Sequence, residues 1–483
     1  MKKSRNIGIL LLTSAALLSA CGTKKPGGGN LIKTATTITI KSTFNDTYRA
    51  VFDAAIKQLQ ESEPLLTIEN VKFSGSYSDL ASEVVKGIPV NDYPDLVVSY
   101  PDSVNDYILA GAALDITPYM DGENGWTAEE KADVYSAYIN EGQDYVVEGT
   151  YSLPLAKSTE AMFYNADKII GLNLSAQDAS INGGQPLSVD YINNLTWDEL
   201  FNKLCPAIVA YNAANSNALI DTSGDWAVLG YDSDDNLFIT LAEQYGYGYT
   251  SIDSTLGVGK IDFVNDGMKT LMKQFNEAAN KHYITTKGVL GGSTYVNTLA
   301  TASPQKCLFS IGSTGGTTYQ FSSTNPMEIY VAPIPQAEGK SSKVISQGPS
   351  IAFLNHKDDN RALASWLFYK TLTSTDLATR WTLTTNYMPI RETVATSDEY
   401  IEAADYTQQS AKTVERLKAR SYAYCGEVGN SLFTSPVFKG SSEARTQVGN
   451  LITSCLKLSI AECTDAKLSE LFNTAYQNTI LKM

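Results

Sequence analysis

Several stretches have residue types and spacings that catalysis or ligand capture could use. Ser303-Pro304-Gln305-Lys306 has the Ser-x-x-Lys spacing in which a lysine amine activates a serine, but the Ser-Asp-Asn and Lys-Thr-Gly partners of such sites are missing. Gly312-Ser313-Thr314-Gly315-Gly316 resembles a phosphate-wrapping loop, yet no Lys follows at P-loop spacing, and a strand-to-helix loop lining a cleft is the better reading. Asp232, Asp234, Asp235 and Asn236 offer oxygens to calcium but lack the glycine and distal glutamate of an EF-hand, so they read as an acidic turn. His-Glu-x-x-His and Gly-x-Ser-x-Gly do not occur. The two histidines, His282 and His356, lie near no cysteine and no Cys-x-x-Cys is present, so neither a structural zinc site nor a cofactor is expected. A glycosidase needs only two carboxylates at a fixed separation, and that class stays open. Phe438-Lys439-Gly440-Ser441-Ser442-Glu443-Ala444-Arg445 is either a solvated capping loop or an anion site, where N–H groups at a helix start act with Lys439 and Arg445.

Such side chains need elements to hold them. Thr37-Ile38-Thr39-Ile40 alternates as a strand does, and Asn45, Asp46 and Thr47 offer N-caps to a helix carrying Phe52, Ile56 and Leu59 on one face and ending at Pro64. Ile68, Val71 and Phe73 suggest a second strand. Ser78 can cap a helix through Leu80 and Val84, and Pro94 to Val98 reads as a buried third strand. Strands alternating with helices predict a parallel sheet covered on both faces, with ligands beyond the strands' carboxyl ends, where the loops 42–46, 75–77 and 99–103 should meet. From about residue 190 the pattern turns mainly helical, with short apolar runs at 307–311, 329–332 and 350–354. Residues 173–195, rich in Asn, Gly and Ser, read as a surface loop.

Composition narrows the class. A chain of 483 residues, 43% hydrophobic, can bury a large core and should divide in two. Its formal charge is −15, or −18 once Lys2, Lys3 and Arg5 are removed, which makes nucleic acid an improbable partner. Those basic residues, the apolar run Ile7 to Leu18 and Leu18-Ser19-Ala20-Cys21 read as a signal peptide over residues 1–20, too short to remain as a spanning helix. Leu-Ser-Ala-Cys resembles the lipobox of bacterial lipoproteins, whose Cys is lipidated, here Cys21. Residues 21–35, with Lys24-Lys25-Pro26 and three glycines, then suit a flexible tether that holds the body to a membrane. Five further cysteines are an odd set for a disulfide framework.

A family likeness enters with a series of segments in order. Gly75 to Leu80, Pro94 to Leu96, Leu114 to Tyr119, Tyr151 to Glu160, Phe163 to Asn165, Ser346 to Ser350, Trp366 to Lys370 and Trp381 through Tyr387-Met388-Pro389-Ile390-Arg391 together resemble the family 1 extracellular solute-binding proteins. The resemblance implies an α/β, two-lobed, periplasmic-binding-protein-like fold joined by hinge segments. Lobe 1 is then 36–149 plus 350–395, and lobe 2 is 150–349 plus 396–483. It further implies capture of a carbohydrate in the cleft, without catalysis, for the permease subunits of an ABC importer. The positions it points to are Asn45, Asp46, Tyr77, Asp79, Asp102, Ser158, Thr159, Glu160, Ser313, Gln347 and Tyr387, with Arg445 added from the later loop. For Asn45 and Asp46 a plain helix cap is an equal reading. Trp366 and Trp381 read as core. The alternatives are an anionic solute such as glycerol phosphate or a sugar phosphate, a lipid-anchored glycosidase, and a scaffold lipoprotein. Many carboxylates among the candidates favour a neutral sugar, in which case Arg445 should pair with Glu160 or Asp102.

Overall fold

The computed structural model describes residues 30–215 and 218–483; the signal segment, Cys21 and most of the tether lie outside them. Two five-stranded sheets carry the chain, each covered by helices. In the first, Leu66–Lys72, Thr36–Ser42 and Leu96–Ser99 run parallel, Ser350–Phe353 pairs antiparallel with Leu96–Ser99, and Ser152–Pro154 at the edge pairs antiparallel with Ser350–Phe353. All four residues of Leu96–Ser99 are buried, as a strand covered on both faces requires. The helix Asp46–Ser62 lays Val51, Phe52, Ala55 and Leu59 on this sheet. The next helix, Tyr77–Gly87, is capped by Ser76 and not by Ser78.

Two expectations about the ends of this lobe need correction. The tether stops sooner than residue 35: the buried Glu63 carboxylate accepts from Leu31 N and Ile32 N at 3.0 and 2.9 Å, and Ile32 is fully buried. Ser152–Pro154 belongs to the first sheet, so the chain crosses to the second sheet after residue 154 and not at residue 150.

The second sheet has the order Ile329–Ala332, Glu160–Asn165, Phe309–Ser313, Leu229–Tyr231 and Ile284–Thr286. The last three are mutually parallel, and the sheet is mixed because Glu160–Asn165 runs against its neighbours. A mainly helical reading beyond residue 190 missed Leu229–Tyr231 and Ile284–Thr286, strands of three residues that show no alternation. Residues 173–195 are more than a surface loop, since Leu174, Ile181, Leu187, Ile192 and Leu195 are buried. The final helices, Ser441–Lys457 and Asp465–Ile480, pack on Asp234–Tyr245 and Asp266–Asn280. Cys205, Cys307, Cys425, Cys455 and Cys463 are buried free thiols.

Between the sheets, two crossing segments pair with each other. Ser158 N donates to Gln347 O at 3.0 Å, Gln347 N returns to Ser158 O at 2.8 Å, and Ala156 N donates to Pro349 O at 3.1 Å. Gly348 sits at φ +97°, and a Cβ there would lie 2.0 Å from Ala156 O, so only glycine fits. Lys157 lies in this crossing with no exposed surface; its ammonium pairs with Glu141 and donates to Gly348 O at 2.9 Å. Met388 N donates to Lys157 O at 2.7 Å, which ties in the turn after the helix Thr375–Thr385.

Removing one partner of a buried ion pair strands the other. Lys157→Met is therefore expected to lower stability by about 3–5 kcal/mol, and the double change with Glu141→Gln to restore most of it. Denaturant unfolding of the single and double variants measures this; equal losses in both would mean that the two charges are not coupled.

Candidate ligand-binding cleft

A cavity of about 540 Å³ lies where the two sheets face each other across the crossing segments. From the first lobe come Tyr100, Pro101 and Asp102, at the turn from Leu96–Ser99 into the helix Pro101–Leu109, together with Glu141 and Tyr387. The crossing supplies Ser158 and Ser346 to Gly348. The second lobe supplies Ser313 and Gly315 after Phe309–Ser313, Asp235 and Asn236 in the first turn of Asp234–Tyr245, and Tyr249. The loop Thr434 to Val437, with Ser441 and Arg445, closes the remaining side. Val437 N bonds Asp144 O at 2.8 Å and Ser441 Oγ donates to Asp102 Oδ1 at 2.6 Å, so this loop spans both lobes.

Of the positions singled out in the sequence, Asp102, Ser158, Ser313, Gln347, Tyr387 and Arg445 line the cavity. Tyr77 is not among the lining residues; it packs edge-on against the wall residue Tyr100 with centroids 5.2 Å apart. This contact brings the loops 75–77 and 99–103 together as the parallel sheet predicts. Five positions lie elsewhere, and their expected cleft role needs correction. Asn45 caps its helix, accepting from Tyr48 N at 3.0 Å. Asp46 is exposed and pairs with Lys72 and Arg49 at 3.2 and 3.3 Å. Asp79 completes a capping box, accepting from Ser76 N at 2.9 Å. Thr159 is buried between the crossings and donates to Ile345 O at 2.7 Å. Glu160 is buried behind the wall, its carboxylate bonded by Tyr231 OH and, at 3.1 Å, by Asn236 Nδ2. Trp381 is core, as expected, but it also stacks parallel to Tyr387 with centroids 6.3 Å apart and so fixes that ring.

Residues 54–408 match the family model for the bacterial extracellular solute-binding proteins. The chain belongs to that family. No curated protein matches it in sequence. Among solved structures it is similar in fold to the cyclic alpha-maltosyl-1,6-maltose binding protein of Arthrobacter globiformis, with TM-score 0.65, 14% identity, and 92% and 99% of the two chains covered. It is also similar to UgpB of Mycobacterium tuberculosis in complex with glycerophosphocholine, with TM-score 0.63, 14% identity and 92% and 98% coverage. A third is the extracellular solute-binding protein of Staphylococcus aureus in complex with maltose, with TM-score 0.62, 12% identity and 93% and 98% coverage. A member of an extracellular family works outside the cytoplasm, and among the described residues no helix is long and apolar enough to cross a membrane.

The charges of this solute-binding protein are arranged in layers. Arg445 Nη1 donates to Asp235 Oδ2 at 2.9 Å and to Asn236 Oδ1 at 2.6 Å, so its carboxylate partner is Asp235 rather than Glu160 or Asp102. Burial alone would raise the Asp235 carboxyl, but the Arg445 guanidinium beside it carries the balance downward. Behind them, burial pushes Glu160 up to about 8 despite the hydrogen bonds from Tyr231 and Asn236. The acidic run is thus structural: Asp232 accepts from Val296 N at 2.9 Å, Asp234 from Gly288 N at 2.8 Å, and Asp235 holds Arg445.

Sequence reasoning missed Tyr100, Glu141, Asn236, Tyr249 and the hydroxyls of Thr434, Ser435 and Ser441 as wall residues, and it read Asp235 only as part of a turn. A signal was available for Ser441, since an anion-site reading of 438–445 already brought it to a helix start beside Arg445.

Glu160 gives a pH test. Its folded pKa lies above the ordinary 4.5, so the folded state holds a proton that the unfolded state releases as pH rises. Its contribution is full below about pH 4.5 and disappears as pH rises through about 8. Glu160→Gln is expected to remove this component, on the order of a few kcal/mol, from the stability difference between pH 5 and pH 8. Thermal or denaturant unfolding at both pH values checks it; an unchanged slope in the variant would mean that Glu160 is ionised in the folded protein.

Proposed function

We propose that this protein captures an extracellular carbohydrate in the cleft and delivers it to an ABC importer, while a lipid on Cys21 keeps it at the membrane. The observation that carries the reading is the chemistry of the wall. Hydroxyls of Ser158, Ser313, Ser346, Thr434 and Ser435 and the amides of Gln347 and Asn236 surround a space also lined by the rings of Tyr100, Tyr249 and Tyr387. A desolvated sugar needs paired donors and acceptors for its hydroxyls and an apolar surface for its C–H face. Two of the similar structures are described as maltoside or maltose binders, which supports the same class. Lobes 36–156 plus 350–395 and 157–349 plus 396–483 would rotate about the crossings, with the Ser441–Asp102 bond made on closure.

Hydrolysis of the sugar has little support from these carboxylates. Glu160, the carboxyl pushed up to about 8, has no surface on the cavity, and Glu141 is committed to Lys157. Asp235 is held down by Arg445. A glycosidase acid must touch the leaving oxygen with a proton to give.

A panel of mono- and oligosaccharides screened by thermal shift tests the function: a bound sugar should add about 2.7 kcal/mol of stability at a hundred times its dissociation constant and be recovered intact. Release of a hydrolysed product would sink the binder reading. With that sugar, Tyr387→Ala is expected to weaken binding by about 2–4 kcal/mol, as loss of an anchoring aromatic does; unchanged affinity would make Tyr387 a core residue only. Cys21→Ala should move the protein from the membrane to the soluble fraction with its affinity intact, and retention at the membrane would defeat the lipid anchor.

A further inference from the structure

The ionisable groups on the cavity wall are Asp102, Glu141, Asp235 and Arg445, alongside tyrosines that stay protonated. Lys157, directly behind Glu141, neutralises that carboxylate with no surface left for a ligand. Asp235 neutralises Arg445. Among the described residues Asp102 makes no ion pair of its own; its hydrogen bond comes from the neutral hydroxyl of Ser441 at 2.6 Å, and the nearby Arg445 charge is already matched by Asp235. The wall is therefore left with one uncompensated negative charge, beside a guanidinium whose own charge is already met.

Arg445 still has hydrogen-bonding capacity. Both of its contacts, to Asp235 and Asn236, run through Nη1, and among the described residues Nη2 and Nε have no partner. A neutral hydroxyl can accept from those N–H groups without disturbing the pair. A phosphate would have to compete with Asp235 for the same cation and approach Asp102 as a like charge. We infer that the cleft excludes anionic solutes and takes uncharged polyhydroxylated ones, with Asp235 as the residue that sets this selectivity. The inference rests on the carbohydrate reading for the class of ligand accepted, but the exclusion of anions follows from the wall alone.

The experiment compares glucose 6-phosphate and sn-glycerol 3-phosphate with glucose, glycerol and maltose on the full chain, by calorimetry at low and high salt. The wild type is expected to bind no phosphate ester at millimolar concentration. Asp235→Asn frees the Arg445 charge and should gain at least about tenfold in phosphate-ester affinity, a gain that fades as salt screens it. Asp102→Asn, at a half-buried rim position, should gain in the same direction by less, and it keeps the test open where Asp235→Asn fails to fold. A wild type that binds a phosphate ester as tightly as any neutral sugar overturns the inference, as does a folded pair of variants with no gain. Failure of every neutral sugar, with the phosphate-ester gain intact in the variants, removes the carbohydrate reading and leaves the charge selectivity standing.

Discussion

The Lys157 ammonium has no contact with water, and it is held by the Glu141 carboxylate and the Gly348 carbonyl. An unmatched charge there would cost several kcal/mol, so the segments carrying these three groups must stay in register with one another. Glu141 is held a second time by Ser350 Oγ at 3.1 Å, which is the first residue of the antiparallel strand Ser350–Phe353. The charge thus fixes the point where the chain leaves the first sheet against the point where it returns. Everything on the cleft floor hangs from that point: Ser158 and Gln347 are the next residues outward on the two paired segments.

How much of this could be read in the sequence depends on the range of the interactions involved. Local signals were legible. The alternation of Thr37 to Ile40, the cap before Phe52 and the apolar run to Val98 all act within a few residues, and the first sheet follows them, although the cap before Leu80 is Ser76 and not Ser78. The same locality misled the assignment of ligands. Asn45 and Asp79 have the side chains a sugar would use, but a free N–H three residues away is nearer than any solute, and both carboxamide and carboxylate went to it. The second sheet was hard to see because Leu229–Tyr231 and Ile284–Thr286 are three residues long and buried throughout, which leaves no period to detect. Asp235 and Arg445 are 210 residues apart, and nothing local to either announces the other.

The family resemblance placed residues well where backbone geometry makes the site and less well where side chains do. Ser158 and Gln347 sit on the crossings themselves, whose course the Lys157 pair and Gly348 dictate, and Tyr387 precedes Met388, whose N–H is tied to Lys157 O. By contrast, the loop Thr434 to Ser441 reaches the cavity through the parallel pairing of Val344–Ile345 with Leu432–Phe433, the bond from Val437 N to Asp144 O and the Ser441–Asp102 bond, contacts that link segments far apart in the chain and carry no local signal.

The wall is also fixed before any solute arrives. Asn236 is held at both ends of its amide, accepting from Arg445 and donating to Glu160, and Glu160 in turn is held by Tyr231. Ser313 Oγ donates to Ser158 Oγ at 3.3 Å across the floor, and Trp381 backs the ring of Tyr387. Side chains that are already ordered lose little freedom on binding, so more of the contact energy appears as affinity. The same ordering explains why a carboxyl such as Glu160 sits behind an amide. As a protonated group it adds no charge to a wall that already carries Asp102 and Asp235, while its oxygen holds Asn236 in the one orientation that offers Arg445 an acceptor. Moving Glu160 forward to the surface would restore its charge and lose that orientation together.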